Sequence, residues 1–335
     1  MSKTSLIRRF SHNGNSKTGR LFCSFLLLVL FCCFFTAAGS AQTAASSAQG
    51  HIIVKIEDVD GDGLKDASIE TDLLRLILSS RSGSPSVYYL KGANFEENLF
   101  PPVIQDFGYK IAPENLKPFV SELVNAPELG TGYTVELEER TADSVIIRAT
   151  ANISLAEAET SASPGLSLVK RFTVKNDSYS IAVEHVVSNL REQLVSVGND
   201  ETGSLAMKFG PGIFLDPYGP MSLLGLKAGA AEIMSDAGDL NAKGAVAGAY
   251  SGIGVRDQYF CAIIEAEEAA RISVGAYEIT SAEQSKKNHK GYDIACTLPK
   301  FNLGARESRV FKFKLYAGPI ILDHLQKVNL GHVSE

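Results

Sequence analysis

"LSLVKRFTVKNDSYSIAVEHVVSNL", residues 166–190, reads as two strands joined at Asn176–Asp177. β-Branched and aromatic residues flank a pair that suits a tight turn, which is the pattern of a β-hairpin. Similar runs surround it. "GYTVELEERTADSVIIRATANI" (132–153) reads as two strands turning near Thr141–Ala142–Asp143. "QYFCAIIEAE" (258–267), "ARISVGAYEI" (270–279) and "GYDIACTLP" (291–299) are strand-like. In "ESRVFKFKLYAG" (307–318), Val310, Lys312 and Lys314 alternate with Phe311, Phe313 and Leu315, as in a strand with one buried face. Leu74, Leu76 and Leu78 recur two apart within 67–80, and "HIIVKIE" (51–57) alternates weakly.

Helix signals are few. "PENLKPFVSELVN" (113–125) suggests a short helix from Leu116. "PIILDHLQKVNLG" (319–331) sets Ile321, Leu322, Leu325 and Val328 on one face, with Gly331 as a stop. The Ala/Gly-rich stretch 226–252 has no period and reads as loop. No repeat at a solenoid or propeller spacing is present. The sequence predicts an all-β chain: one large β-sandwich over residues 51–331, a short C-terminal helix and a tail at 332–335.

The first twenty residues hold Lys3, Arg8, Arg9, Lys17 and Arg20 and no acid. Setting those five positives aside moves the net charge from −6 to −11 for the rest. Such a body repels phosphate backbones, so no nucleic acid partner is expected. After the basic segment 1–20 comes an apolar run, Leu21 to about Phe35, then small residues with Gly39 and Ala41 at cleavage-site spacing. Residues 21–41 therefore read as a signal anchor or a cleaved signal peptide. The charge asymmetry puts the body outside the cytoplasm. Residues 42–50, "QTAASSAQG", read as a linker.

Candidate sites are sparse. In "DVDGDGLKD" (58–66), Asp58, Asp60, Asp62 and Asp66 fall at positions 1, 3, 5 and 9 of a calcium loop, with Leu64 offering a backbone carbonyl. Carboxylates this close repel one another unless a cation sits among them. Position 12 is Ile69 rather than the bidentate Glu, so the loop is no EF-hand. It is either a calcium-stiffened strand connection or a solvated Asp/Gly turn. Cys261 and Cys296 are the only cysteines of the body. They form either one disulfide or two buried thiols. His185 sits in "IAVEHVV" with Glu184 on the opposite face, which argues against a catalytic pair. No GxSxG, HExxH or P-loop is present, and no catalytic residue is assigned.

Several stretches carry a resemblance. "ETDLLRLILSSRSGSPSVYYLK" (70–91), the hairpin 166–190, "KFGPGIF" (208–214), "IGVRDQYFCAIIEAE" (253–267) and "KLYAGPIILDHLQKVNLG" (314–331) resemble, in order, the periplasmic domain of YidC-type membrane protein insertases. The resemblance implies a twisted β-supersandwich of the kind shared with galactose mutarotases. It also implies that the apolar segment is the family's first transmembrane helix. Gly210, Gly212, Tyr259, Phe260, Tyr316, Gly318 and Pro319 are read as fold signatures, with Tyr259 and Phe260 in a strand that packs. The family's five-helix membrane core is not found before Glu335, so insertase activity is not expected of this chain alone.

The expected function is a non-catalytic interaction domain at the inner membrane, its body facing the periplasm. A soluble periplasmic form after signal cleavage is the alternative. Expected partners are the membrane, an insertase core or the Sec translocation machinery. A small-molecule ligand is not expected, and calcium is the one candidate cofactor. Leu322, Leu325 and Val328 on the terminal helix form the candidate docking face. The competing reading is a secreted carbohydrate-binding or mutarotase-like protein, against which stands the absence of tryptophan.

Overall fold

The computed structural model describes residues 51–92, 95–98, 117–124, 132–153, 165–210, 222–227, 230–234, 250–279 and 289–334. The expected basic segment 1–20, signal segment 21–41 and linker 42–50 lie outside them. Among the described residues, no helix is long and apolar enough to cross a membrane.

Antiparallel pairing builds every sheet. One is five-stranded, in chain order: β1 (Ile53–Glu57), β2 (Asp66–Glu70), β3 (Leu74–Ser79), β4 (Ser84–Gly92) and β5 (Phe95–Asn98). Strands β6 (Lys117–Leu123), β12 (Leu205–Gly210), β17 (Arg271–Ile279) and β18 (His289–Thr297) form a four-stranded sheet in the order β17-β18-β12-β6. The largest sheet has nine strands. They are β7 (Thr134–Arg140), β8 (Ser144–Ile153), β9 (Leu166–Lys175), β10 (Ser180–Asn189), β13 (Ser222–Lys227), β14 (Ala230–Met234), β15 (Gly252–Arg256), β16 (Phe260–Ala266) and β20 (Ser308–Pro319). Their order is β14-β13-β15-β16-β20-β10-β9-β8-β7. A small pair, β11 (Val195–Val197) with β19 (Phe301–Leu303), completes the strands described. The fold is an all-β sandwich, with one short α-helix among the described residues, α1 (Leu322–Lys327), and a 3₁₀ turn at Gly331–Ser334.

The hairpin of residues 166–190 lies near the centre of the large sheet. Ile181 to Asn189 of β10 pair with Val174 to Leu166 of β9 in unbroken register. Leu168, Phe172, Val174, Ile181, Val183 and Val187 are buried, as are Phe311, Phe313 and Leu315 of β20. Each such side chain contributes about 1.5–3 kcal/mol on burial. A one-residue slip would turn the whole set outward, which fixes the register. On the opposite face Glu136, Arg148, Arg171, Glu184 and Lys312 stand in one transverse row. Arg148 meets Glu136 at 2.5 Å and Arg171 meets Glu138 at 2.9 Å. This row keeps the outer face wet and adds little stability. The sheets meet through aromatic rings: Phe119 of β6 packs between Tyr88 of β4 and Phe209 of β12, with centroids 6.2 and 4.9 Å away.

Two expectations fail. Residues 117–123, expected within a helix, form strand β6. Phe119, Ser121 and Leu123 are buried at period two, and Pro118 would break a helix interior. Pro is tolerated here because β6 is an edge strand of its sheet. The stretch 226–252, expected as loop, contains the end of β13 and the whole of β14. Gly225 interrupts the pattern because a side chain there would collide with the Tyr250 ring.

Candidate functional site

The acidic loop connects β1 and β2. Carboxylate oxygens of Asp58, Asp60 and Asp66 lie within 4.8 Å of one another. Asp58 accepts backbone N–H bonds from Gly61 (2.7 Å), Asp62 (3.1 Å) and Gly63 (2.9 Å). Gly61 and Gly63 have φ of +79° and +87°, which a residue with a Cβ rarely adopts. Asp66 is buried and ties the loop to β3, accepting from the Ser80 N–H (2.7 Å) and hydroxyl (2.9 Å). Asp62 has left the expected ligand set. It accepts from Arg81 Nε at 2.7 Å, and this guanidinium holds its carboxyl below the usual carboxylate range. Arg81 also lies 3.5 Å from Asp60, so an arginine already balances part of the loop's charge. Leu64 donates its own N–H to Asp62 at 2.8 Å.

The terminal helix splits the expected docking face. Leu325 is fully buried, with Leu330 and Val333 beyond it. Lys314 donates to the Val328 carbonyl (3.2 Å) and Arg256 to the Val333 carbonyl (3.1 Å). The His324 ring meets Tyr179 edge-on at 5.0 Å. These contacts dock the segment on the nine-stranded sheet. Leu325 is thus an anchor and not a docking residue, and Val328 is half-buried. Leu322 is 46% exposed and Ile321 44%. Tyr259, expected in a packed strand, sits just before β16 and is 56% exposed. It is joined to this corner by the Ile320 N–H, which donates to its carbonyl at 2.7 Å. Exposure of Tyr259 has no local sequence signal, because Phe260 beside it is the residue that faces inward.

A second polar cluster was not foreseen. Lys170 of β9 and His185 of β10 are register partners on the inward face, and both are fully buried. Lys170 Nζ donates to the carbonyls of Ser82 (2.7 Å) and Ser121 (2.9 Å) and sits 4.2 Å above the Tyr133 ring. His185 Nε2 shares a 2.7 Å hydrogen bond with Ser121 Oγ. Its Nδ1 has no hydrogen-bond partner among the described residues. Burial, and then the Lys170 charge, push the His185 pKa well below its ordinary value. Glu184 points to the other face toward Lys312, as expected. Lys170, Ser121 and His185, all three buried, join strands β9, β6 and β10 from within the core.

Cys261 and Cys296 are not a disulfide here. They are free, buried thiols in β16 and β18, strands of different sheets. Burial pushes both thiols up, Cys296 to about 12. The Cys296 thiol donates to the Ile264 carbonyl at 3.7 Å.

Fold and surface describe an all-β sandwich with a docked C-terminal helix and a small apolar corner. Residues 149–334, more than half of the chain, match the YidC periplasmic domain, and the chain belongs to that family. Membership ties it to membrane protein insertases and to the periplasmic side of the membrane at a coarse level. Solved structures of galactose-mutarotase type are similar to it. A galactose mutarotase related enzyme from Lactobacillus acidophilus shares 10% identity over 75% of this chain and 97% of its own, with TM-score 0.42. A galactose mutarotase-like protein from Clostridium acetobutylicum shares 10% over 80% and 99%, with TM-score 0.46. The 4-alpha-glucanotransferase of Thermococcus litoralis shares 12% over 80% and 41%, with TM-score 0.45. Likenesses this distant say nothing of activity. No curated protein matches the chain.

Two outcomes are expected. Leu325→Asp places a charge in the core and costs about 3–5 kcal/mol, whereas Leu322→Asp changes stability by about 0.5 kcal/mol or less. Thermal melts of both variants check this. For His185, the unfolded chain binds a proton below about pH 6.5 that the folded chain refuses, so stability falls as pH drops through that value and returns above it. Melting temperature should therefore decline from about pH 7.5 to about pH 5, and His185→Gln should flatten that decline. An unchanged slope in the variant would assign the pH dependence to other groups.

Proposed function

We propose that this chain is a non-catalytic interaction domain at the periplasmic face of the inner membrane, serving membrane protein insertion or translocation. The corner formed by Tyr259, Ile321 and Leu322 meets the membrane-embedded insertase core or the Sec machinery beside it. One observation carries this reading: three large apolar side chains stay exposed where the rest of the segment is docked by Leu325, Leu330 and Val333. Tyr with two aliphatic residues suits a site that is apolar on one side and wet on the other. Family membership supports a setting on the periplasmic side of a membrane. The carbohydrate-binding alternative has only a distant fold likeness behind it, and the chain has no tryptophan.

Leu322→Asp leaves the fold intact in this account, so it isolates the surface. Co-purification of the insertase core or translocation subunits from solubilised membranes should fall about tenfold in the variant, with unchanged protein level. Full recovery of those partners by Leu322→Asp and by Tyr259→Asp would remove the corner from the account.

We also infer that Asp58, Asp60 and Asp66 take calcium weakly, in the range of about 10⁻⁴–10⁻³ M typical of extracellular modules. The convergence of their oxygens within 4.8 Å supports this. Calcium at about 5 mM should then stabilise the protein by about 1–2 kcal/mol, raising the melting temperature by a few degrees. Arg81→Ala should enlarge the gain and Asp58→Asn should abolish it. Identical melts with and without calcium in all three proteins would leave Arg81 as the loop's counter-charge.

A further inference from the structure

The nine-stranded sheet ends in two edges of opposite character. At one, β7 exposes Glu136, Glu138, Glu139 and Arg140, and its register shifts between Leu137 and Glu139. Charges and bulges of this kind keep an edge from pairing with another chain. The other edge, β14, reads "AAEIM" and has neither device. Its pairing with β13 is unbroken from Lys227–Ala230 to Leu223–Met234. Its one charge, Glu232, is already engaged by Lys227 Nζ (2.6 Å) and the Tyr250 hydroxyl (3.1 Å). Ile233 is 58% exposed.

The backbone of this edge also points the right way. The Ser251 N–H donates to the Leu226 carbonyl at 2.7 Å, on the β15 side. In an antiparallel ladder both backbone groups of a residue point to the same side, and opposed residues either bond each other or face apart. Leu226 and Leu224 thus face β15. Their register partners, Ala231 and Ile233, turn their N–H and C=O groups outward. Among the described residues, no hydrogen bond reaches those groups. The Ile233 side chain lies on the face that carries α1, since it is in register with Tyr316 through Leu224, Gly254 and Ile263.

We propose that β14 is a strand-accepting edge, and that its occupant is an extended, uncharged segment of another, unfolded polypeptide. The segment takes the outward backbone bonds of Ala231 and Ile233 and lays an apolar side chain against Ile233. A second copy of this chain is a poorer occupant, because pairing about the strand centre sets Glu232 against Glu232. The proposal goes beyond the terminal-helix corner. It stands on backbone geometry, whatever that corner meets.

The test uses the full chain in detergent micelles and a fluorescent peptide of about ten residues alternating Val and Thr. A version with Pro at every second position, which cannot donate, is the control. The alternating peptide should bind, slow amide exchange within residues 230–234, and lose about tenfold in affinity with Ile233→Pro and with Ile233→Lys. Pro is tolerated at 233 because that N–H lies outside the β13 ladder; should it nevertheless unfold the protein, Ile233→Lys carries the test. Undiminished binding by the folded variants, equal binding of the Pro control, or protection confined to β7 would overturn the proposal. So would a concentration-dependent dimer that Ile233→Lys dissolves, since the occupant would then be a second copy.

Discussion

The period-two burial of β8, β9, β10 and β20 is the constraint on which the rest of the structure depends. Four long strands present one apolar face each, and the pleat lets them do so in a single register. Two polar side chains sit within that face. Lys170 and His185 occupy inward positions where apolar residues would be ordinary, and they find Ser82 and Ser121 across the sandwich. Any other register would leave a buried ammonium without its carbonyls, at a cost comparable to much of a domain's net stability. The cluster therefore selects the alignment of the sheets more than it strengthens it, which is how buried polar groups act in the best-attested cases.

Much of the fold could be read from local pattern. The hairpin at Asn176–Asp177, the turn near Asp143 and the Phe311/Phe313/Leu315 alternation are all local facts, and the structure repeats them. Where reading failed, a tertiary contact had overridden the local signal. Gly225 weakens the strand pattern of β13, yet it is required by Tyr250, a residue far along the chain. The stretch around Pro118 has helix-forming neighbours, but Phe119 is committed to Tyr88 and Phe209 in other strands. The site shows the same division. The Asp spacing in 58–66 announced a turn with converging carboxylates. Recruitment of Asp62 by Arg81, nineteen positions later, depends on the β2–β3–β4 turn and was not legible. On the helix, spacing placed Leu322, Leu325 and Val328 together. Only packing decides that Leu325 goes inward and Leu322 stays out.

The C-terminal segment gives the sandwich a side. Lys314 and Arg256 bond the carbonyls of Val328 and Val333, so α1 and the following turn are fixed to the outer face of β13, β15, β16 and β20. Beside it lie the exposed corner of Tyr259, Ile321 and Leu322, and, across the same face, the β14 edge at Ile233, whose one charge, Glu232, is paired with Lys227. The β7 end of the same face carries the Arg148–Glu136 and Arg171–Glu138 pairs and a bulged edge rich in charge, on which Leu137 is also exposed. The two ends of the sheet therefore differ in character, which is the contrast on which the proposed interaction role rests.

The most direct test of that asymmetry is site-specific photocrosslinking in intact membranes, with the reactive group placed at residue 322 and, for comparison, at residue 139 on the charged edge. Adducts with lipid or with membrane-embedded insertion components are expected from position 322 and none from position 139. Equal labelling from both positions, or labelling from 139 alone, would contradict the proposed role.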